Sequence, residues 1–73
     1  MIHYGKVVVY SQAKSWGFIE EQSGERWFFH LSNAVPKFVP KLGLAVEFEI
    51  GPPLALGKKD QAVNVCYASR GLR

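Results

Sequence analysis

From Leu44 to Ile50 the chain alternates without a break: Leu44, Val46, Phe48 and Ile50 fall on one side, Ala45, Glu47 and Glu49 on the other. A period of two with one apolar face is the pattern of a half-buried β-strand, and it is incompatible with an amphipathic helix. No other stretch restores a helical period. Glycines and prolines interrupt the chain too often, and the residues between them are mostly β-branched or aromatic. Five strands are therefore expected, over residues 2–11, 15–21, 25–31, 44–50 and 61–69. The turn at Gln22-Ser23-Gly24 joins the second and third into a hairpin. A loop carrying Pro36 and Pro40 separates strands three and four. Gly51-Pro52-Pro53 ends strand four and begins a second long loop. In strand five, Val63, Val65 and Tyr67 are expected to face inward.

With 73 residues the chain holds one domain, assigned to residues 1–69 with 70–73 as a basic tail or the start of a linker. Its core must hold by packing alone. One cysteine, Cys66, makes no internal disulfide, and one cysteine with two histidines does not build a structural zinc site. No metal or cofactor is expected. The lone thiol suits a reducing compartment. The first residues lack the basic and apolar regions of a signal peptide, and the longest apolar run, Val7 to Tyr10, is too short to span a bilayer. A cytoplasmic protein without a membrane partner is expected, a monomer first and a strand-swapped dimer as the alternative. Five short antiparallel strands would leave open edges unless the sheet curls on itself, so the fold class is all-β and the architecture a small five-stranded antiparallel barrel. Gly5, Gly17 and Gly43 stand where strands would bend. An SH3-like barrel satisfies the same pattern.

Strands two and three break the one-sided rule that strand four obeys. In Lys14-Ser-Trp-Gly-Phe-Ile-Glu-Glu, Trp16 and Phe18 share a face and Ile19 takes the other. In Arg26-Trp-Phe-Phe-His-Leu, Arg26, Phe28 and His30 share a face while Trp27, Phe29 and Leu31 point away. Ile19, Trp27, Phe29 and Leu31 fill a core. Trp16, Phe18, Phe28 and His30 are then left together outside as cross-strand neighbours. An outward aromatic cluster usually marks a site. Rings flanked by Lys14 and Arg26 suit unpaired nucleic acid, whose bases stack for roughly 1–3 kcal/mol each while cations meet the phosphates. Duplex suits them poorly, since its base faces are already covered. The net charge of +3 favours a polyanion only weakly.

These segments resemble the cold-shock domain family. Lys14-Ser-Trp-Gly-Phe-Ile is similar to its first ribonucleoprotein motif, usually Lys-Gly-Phe-Gly-Phe-Ile, and Trp27-Phe-Phe-His-Leu to its second, usually Val-Phe-Val-His-Phe. Gly5-Lys-Val, Gly43-Leu-Ala-Val-Glu-Phe-Glu-Ile and Gln61-Ala-Val-Asn-Val fit the frame, so the resemblance covers about residues 4–65. It implies an OB-fold barrel binding single-stranded RNA and DNA with low sequence selectivity, and an RNA-chaperone role. It adds Tyr10 and Phe38 to the stacking residues. It also implies gaps: Val9 stands where a stacking Trp is common and Val8 where a Lys is common, while Ser15 replaces a Gly. Weaker binding than is usual in the family is the expectation.

On strand pattern alone, core packing and base stacking both remain open for Trp16, Phe18 and Phe28; the motifs select stacking. Phe38 either plugs the barrel end or stacks on a base, and the resemblance selects the second. Lys59, with Lys58, is a loop cation that adds screened attraction to the backbone. The expected binding set is Tyr10, Lys14, Trp16, Phe18, Arg26, Phe28, His30, Phe38 and Lys59. No acid–base pair, phosphate loop or metal cluster is present, so neither an enzyme nor a small-molecule substrate is expected. The rival readings are a peptide-binding SH3-like module and one nucleic-acid-binding domain of a longer protein.

Overall fold

The computed structural model describes residues 1–53 and 56–68. Five strands form one sheet: β1 (His3–Ser11), β2 (Trp16–Glu21), β3 (Arg26–His30), β4 (Ala45–Gly51) and β5 (Gln61–Tyr67). All neighbours are antiparallel, in the order β3-β2-β1-β4-β5. The expected ends agree within two residues, while Ser69 and the tail 70–73 lie outside the described residues. Leu31 leaves β3 and enters a single 3₁₀ turn, Leu31–Asn33. Just beyond it the sheet curls round: Ala34 bridges Val65 in parallel, and the Val35 N–H donates to the Val65 carbonyl at 2.9 Å. The segment that follows β3 is thereby joined to β5, as a sheet curled into a barrel requires.

The core contains Val7, Ile19, Phe29, Phe38, Val46, Phe48, Ala62 and Val65. Strands β2, β3 and β4 send alternate side chains inward, so Ile19 and its partner Trp27 share the inner face, as do Gly17 and Phe29. Trp27 and Leu31, expected inside, pack against the core but remain half-exposed at its rim. Gly17 is required by proximity. A Cβ there would collide with the Val9 carbonyl oxygen and stand 3.1 Å from a Phe29 ring carbon, so β1 crosses β2 closely only because position 17 has no side chain. Gly5 makes the same close approach, with a would-be Cβ 2.7 Å from the Glu20 carbonyl, whereas Gly43 sits in a turn at φ +86°.

Two bulges overturn expectations based on simple alternation. In β1 the register shifts between Val7, opposite Ile19, and Val9, opposite Phe18. Val8 is the extra residue, so Val7 and Tyr10 both reach the inner face and Val9 goes outside. In β5 the register shifts between Glu47–Cys66 and Glu49–Val63, with Asn64 at φ +52°. Asparagine tolerates this left-handed conformation better than most residues. It donates through Nδ2 to Glu49 Oε1 at 2.7 Å. Val63 is consequently not a core residue; Ala62 and Val65 are, both at 0% exposure. Tyr67, also expected inside, is 47% exposed at the barrel mouth, its ring 5.0 Å from Phe38 and its hydroxyl accepting from the Val39 N–H at 2.8 Å.

Candidate nucleic-acid interface

The β2–β3 hairpin runs in perfect register. Trp16 lies opposite His30, Phe18 opposite Phe28 and Glu20 opposite Arg26. No bulge intervenes, so these six side chains share the outer face. The ring centroids of Trp16, Phe18 and Phe28 form a near-equilateral triangle with sides of 5.8, 5.8 and 5.9 Å. Their planes are tilted or edge-on to one another, so rings in mutual contact still leave faces turned to solvent. All three are half-buried. The core behind them supports the cluster, because Phe29 and Ile19 alternate with it and are fully buried.

His30 closes the cluster at the end of β3. The Ser32 N–H donates to its Nδ1 at 3.1 Å, capping the 3₁₀ turn and leaving Nε2 to carry the proton of the neutral ring. Lys14 is exposed in the turn between β1 and β2, two residues before Trp16. Ser15 bridges the two at φ +61°, the position where the resembled motif carries glycine. Arg26 is exposed, with its Nε 3.6 Å from Glu20 Oε2.

Three of the expected binding residues are placed differently. Tyr10 is turned inward by the β1 bulge, stacked on Phe29 at 6.1 Å with an interplanar angle of 13°. It supports the platform from below and offers no face beside Trp16. Phe38 is 5% exposed within the core, so it plugs the barrel end, the alternative that the resemblance had set aside. Lys59 is no free loop cation. Its ammonium is ion-paired with Glu25, donates to the Arg26 carbonyl at 2.9 Å and lies 4.4 Å above the Trp27 ring. The same indole donates from Nε1 to Glu21 Oε2 at 2.5 Å, and Glu21 also meets His3 Nδ1 at 3.2 Å.

The reverse also holds: the tertiary structure adds Ser11 and a groove that the sequence did not reveal, and it puts Val9 on the outer face as the resemblance implied. Val9 and Ser11 lie opposite Phe18 and Trp16 and extend the outer face onto β1. Val9 is 39% exposed, so the family's stacking position is present here without a ring. Beside Phe18 and Phe28, a groove of about 300 Å³ is lined by Arg26, Lys58, Lys59, Asp60 and Gln61. Gln61 is anchored in it, donating to the Pro52 carbonyl at 2.8 Å and accepting from Asn33 at 3.3 Å. No periodicity within one strand reveals that the 56–60 loop folds over β3.

Cys66 is not set up as a nucleophile. Burial, and then the charge of Glu47, push the Cys66 thiol up from its ordinary value, away from the thiolate a reactive cysteine needs. Among the described residues no group of three metal-ligating side chains comes together.

A curled five-stranded barrel with an outward aromatic triangle and cations at its rim defines a nucleic-acid-binding β-barrel of the OB type. The cold-shock DNA-binding domain family matches residues 3–68, nearly the whole chain, and the chain belongs to that family. It is a nucleic-acid-binding family and not a family of enzymes. Among curated proteins none matches this chain significantly.

Proposed function

We propose that this domain binds single-stranded RNA and DNA with little sequence selectivity and acts as an RNA chaperone. The observation that carries the reading is the Trp16–Phe18–Phe28 triangle, held outward by an unbroken hairpin register. Each base stacked on such a ring contributes about 1–3 kcal/mol, and every base has a face to offer, so selectivity is low. Holding bases unpaired lowers the population of RNA hairpins by mass action and needs no ATP. A ring is missing at Val9, Tyr10 is turned inward and Phe38 is buried, so the platform is small and binding is weaker than a fuller set of rings would give. The domain works as a cytoplasmic monomer in this reading, which suits its single free cysteine.

The test uses Trp27→Phe, which leaves Trp16 as the only tryptophan. Oligothymidine should quench its fluorescence and a duplex of equal length should barely do so. An unquenched Trp16 with the single strand would overturn the reading.

A further inference from the structure

The groove beside Phe18 and Phe28 is where a polyanion would find cations, yet two of its three cations are already engaged. Arg26 meets Glu20 at 3.6 Å, and Lys59 is ion-paired with Glu25. Lys59 spends its remaining reach on the Arg26 carbonyl, 2.9 Å away, and on the Trp27 ring. A third carboxylate, Asp60, lines the same groove as Lys58. Three positive and three negative groups therefore meet at this edge of the platform, although the chain as a whole carries +3. Both paired carboxylates belong to the hairpin that carries the rings: Glu20 stands on their face, opposite Arg26, and Glu25 directly precedes β3.

We propose that Glu20 and Glu25 set the affinity of this domain as built-in competitors of the phosphate backbone. A carboxylate in contact with a guanidinium or ammonium occupies the position a phosphate oxygen would take. A strand laid on Phe18 and Phe28 must displace these pairs before it meets either charge. The displaced carboxylates then draw counterions of their own, which offsets part of the counterion release that drives charge-dominated binding. Binding at this edge therefore depends on stacking more than on charge. The inference rests on the single-strand reading above.

The pairs are exposed: the Arg26 and Lys59 side chains are each 56% exposed, and those of Glu20 and Glu25 31% and 46%. Exposed pairs are worth up to about 1 kcal/mol, so releasing each should tighten binding by no more than about fivefold. The experiment compares Glu20→Gln/Glu25→Gln with the parent and with Glu47→Gln/Glu49→Gln, which removes the same charge from β4. Oligothymidine affinity is measured by Trp16 quenching in the Trp27→Phe background across a salt series. The first pair should bind several-fold tighter than both comparators. Its plot of log affinity against log salt should steepen by about 0.7 for each additional phosphate that a freed cation neutralises. Adding Lys59→Met and Arg26→Met to the first pair should abolish the tightening. A tightening equal to that of the β4 variant would mean that net charge alone is responsible and would overturn the proposal. So would an unchanged slope, or a tightening that survives loss of both cations. These outcomes leave the single-strand reading standing if the parent itself is quenched. A parent that binds no oligothymidine overturns both. Thermal unfolding of each variant, expected within a few degrees of the parent, separates these effects from a loosened 56–60 loop.

Discussion

The β2–β3 hairpin and strand β1 lie side by side in one sheet, yet they obey alternation to different extents. Along the hairpin every pair from Trp16–His30 to Glu20–Arg26 keeps step, so inner and outer faces are constant for its whole length. Along β1 one extra residue, Val8, changes the phase midway. Val7 lies inside and Tyr10 lies inside as well, three positions on, where strict alternation would put Tyr10 out. The consequence for function is direct: the hairpin supplies all three rings of the platform, and β1 supplies Val9 to it and Tyr10 to its support. A local change of phase decides whether an aromatic side chain stacks on a ligand or on the core.

The largest expected effect separates the two faces of β3. Phe29→Ala should cost about 3–5 kcal/mol of stability, the usual penalty for deleting a fully buried aromatic ring. Phe28→Ala, one residue away, should cost far less stability but about 1–3 kcal/mol of oligothymidine affinity. Chemical unfolding and fluorescence titration of the pair would break the comparison if the two losses came out alike.

The bulge in β1 is probed next. Val9→Trp adds a ring on the outer face opposite Phe18 and should tighten single-strand binding by up to one stacked base, about 1–3 kcal/mol. Tyr10→Leu should leave affinity within about twofold while lowering the unfolding midpoint, since its ring packs on Phe29. If Tyr10→Leu weakened binding as much as Phe28→Ala, the inward placement of Tyr10 would be wrong.

The smallest effect concerns the turn between these regions. Ser15 holds φ +61°, a conformation in which a Cβ is disfavoured and glycine is not. The greater freedom of glycine in the unfolded chain offsets part of that relief, so Ser15→Gly should stabilise the domain by less than about 1 kcal/mol. Calorimetry would detect it as a rise of a few degrees in Tm.

The hairpin, the clean strand β4 and the barrel they imply were all legible in the sequence. Side chains at spacing two announce a face whenever no residue is inserted, and Trp16, Phe18 and Phe28 are such a case. Asn64 and Val8 are where legibility stopped. An extra residue in a strand has no composition of its own, and only the partner strand shows that one position has been skipped. The burial of Phe38 and the ion pair of Lys59 are not legible for a second reason. Each residue lies in a loop, and a loop residue's surroundings depend on where the chain returns, which no local pattern encodes.

By itself, then, the sequence determined an all-β barrel, the family to which it belongs and the three rings that form its outward triangle, because each follows from local order along the chain. The tertiary structure alone decided that Tyr10 and Phe38 serve the core, and that Glu20 and Glu25 engage Arg26 and Lys59. Those outcomes depend on distances between segments far apart in sequence. Lys59 reaches Glu25 across 34 positions of chain, and closure of the barrel brings them together.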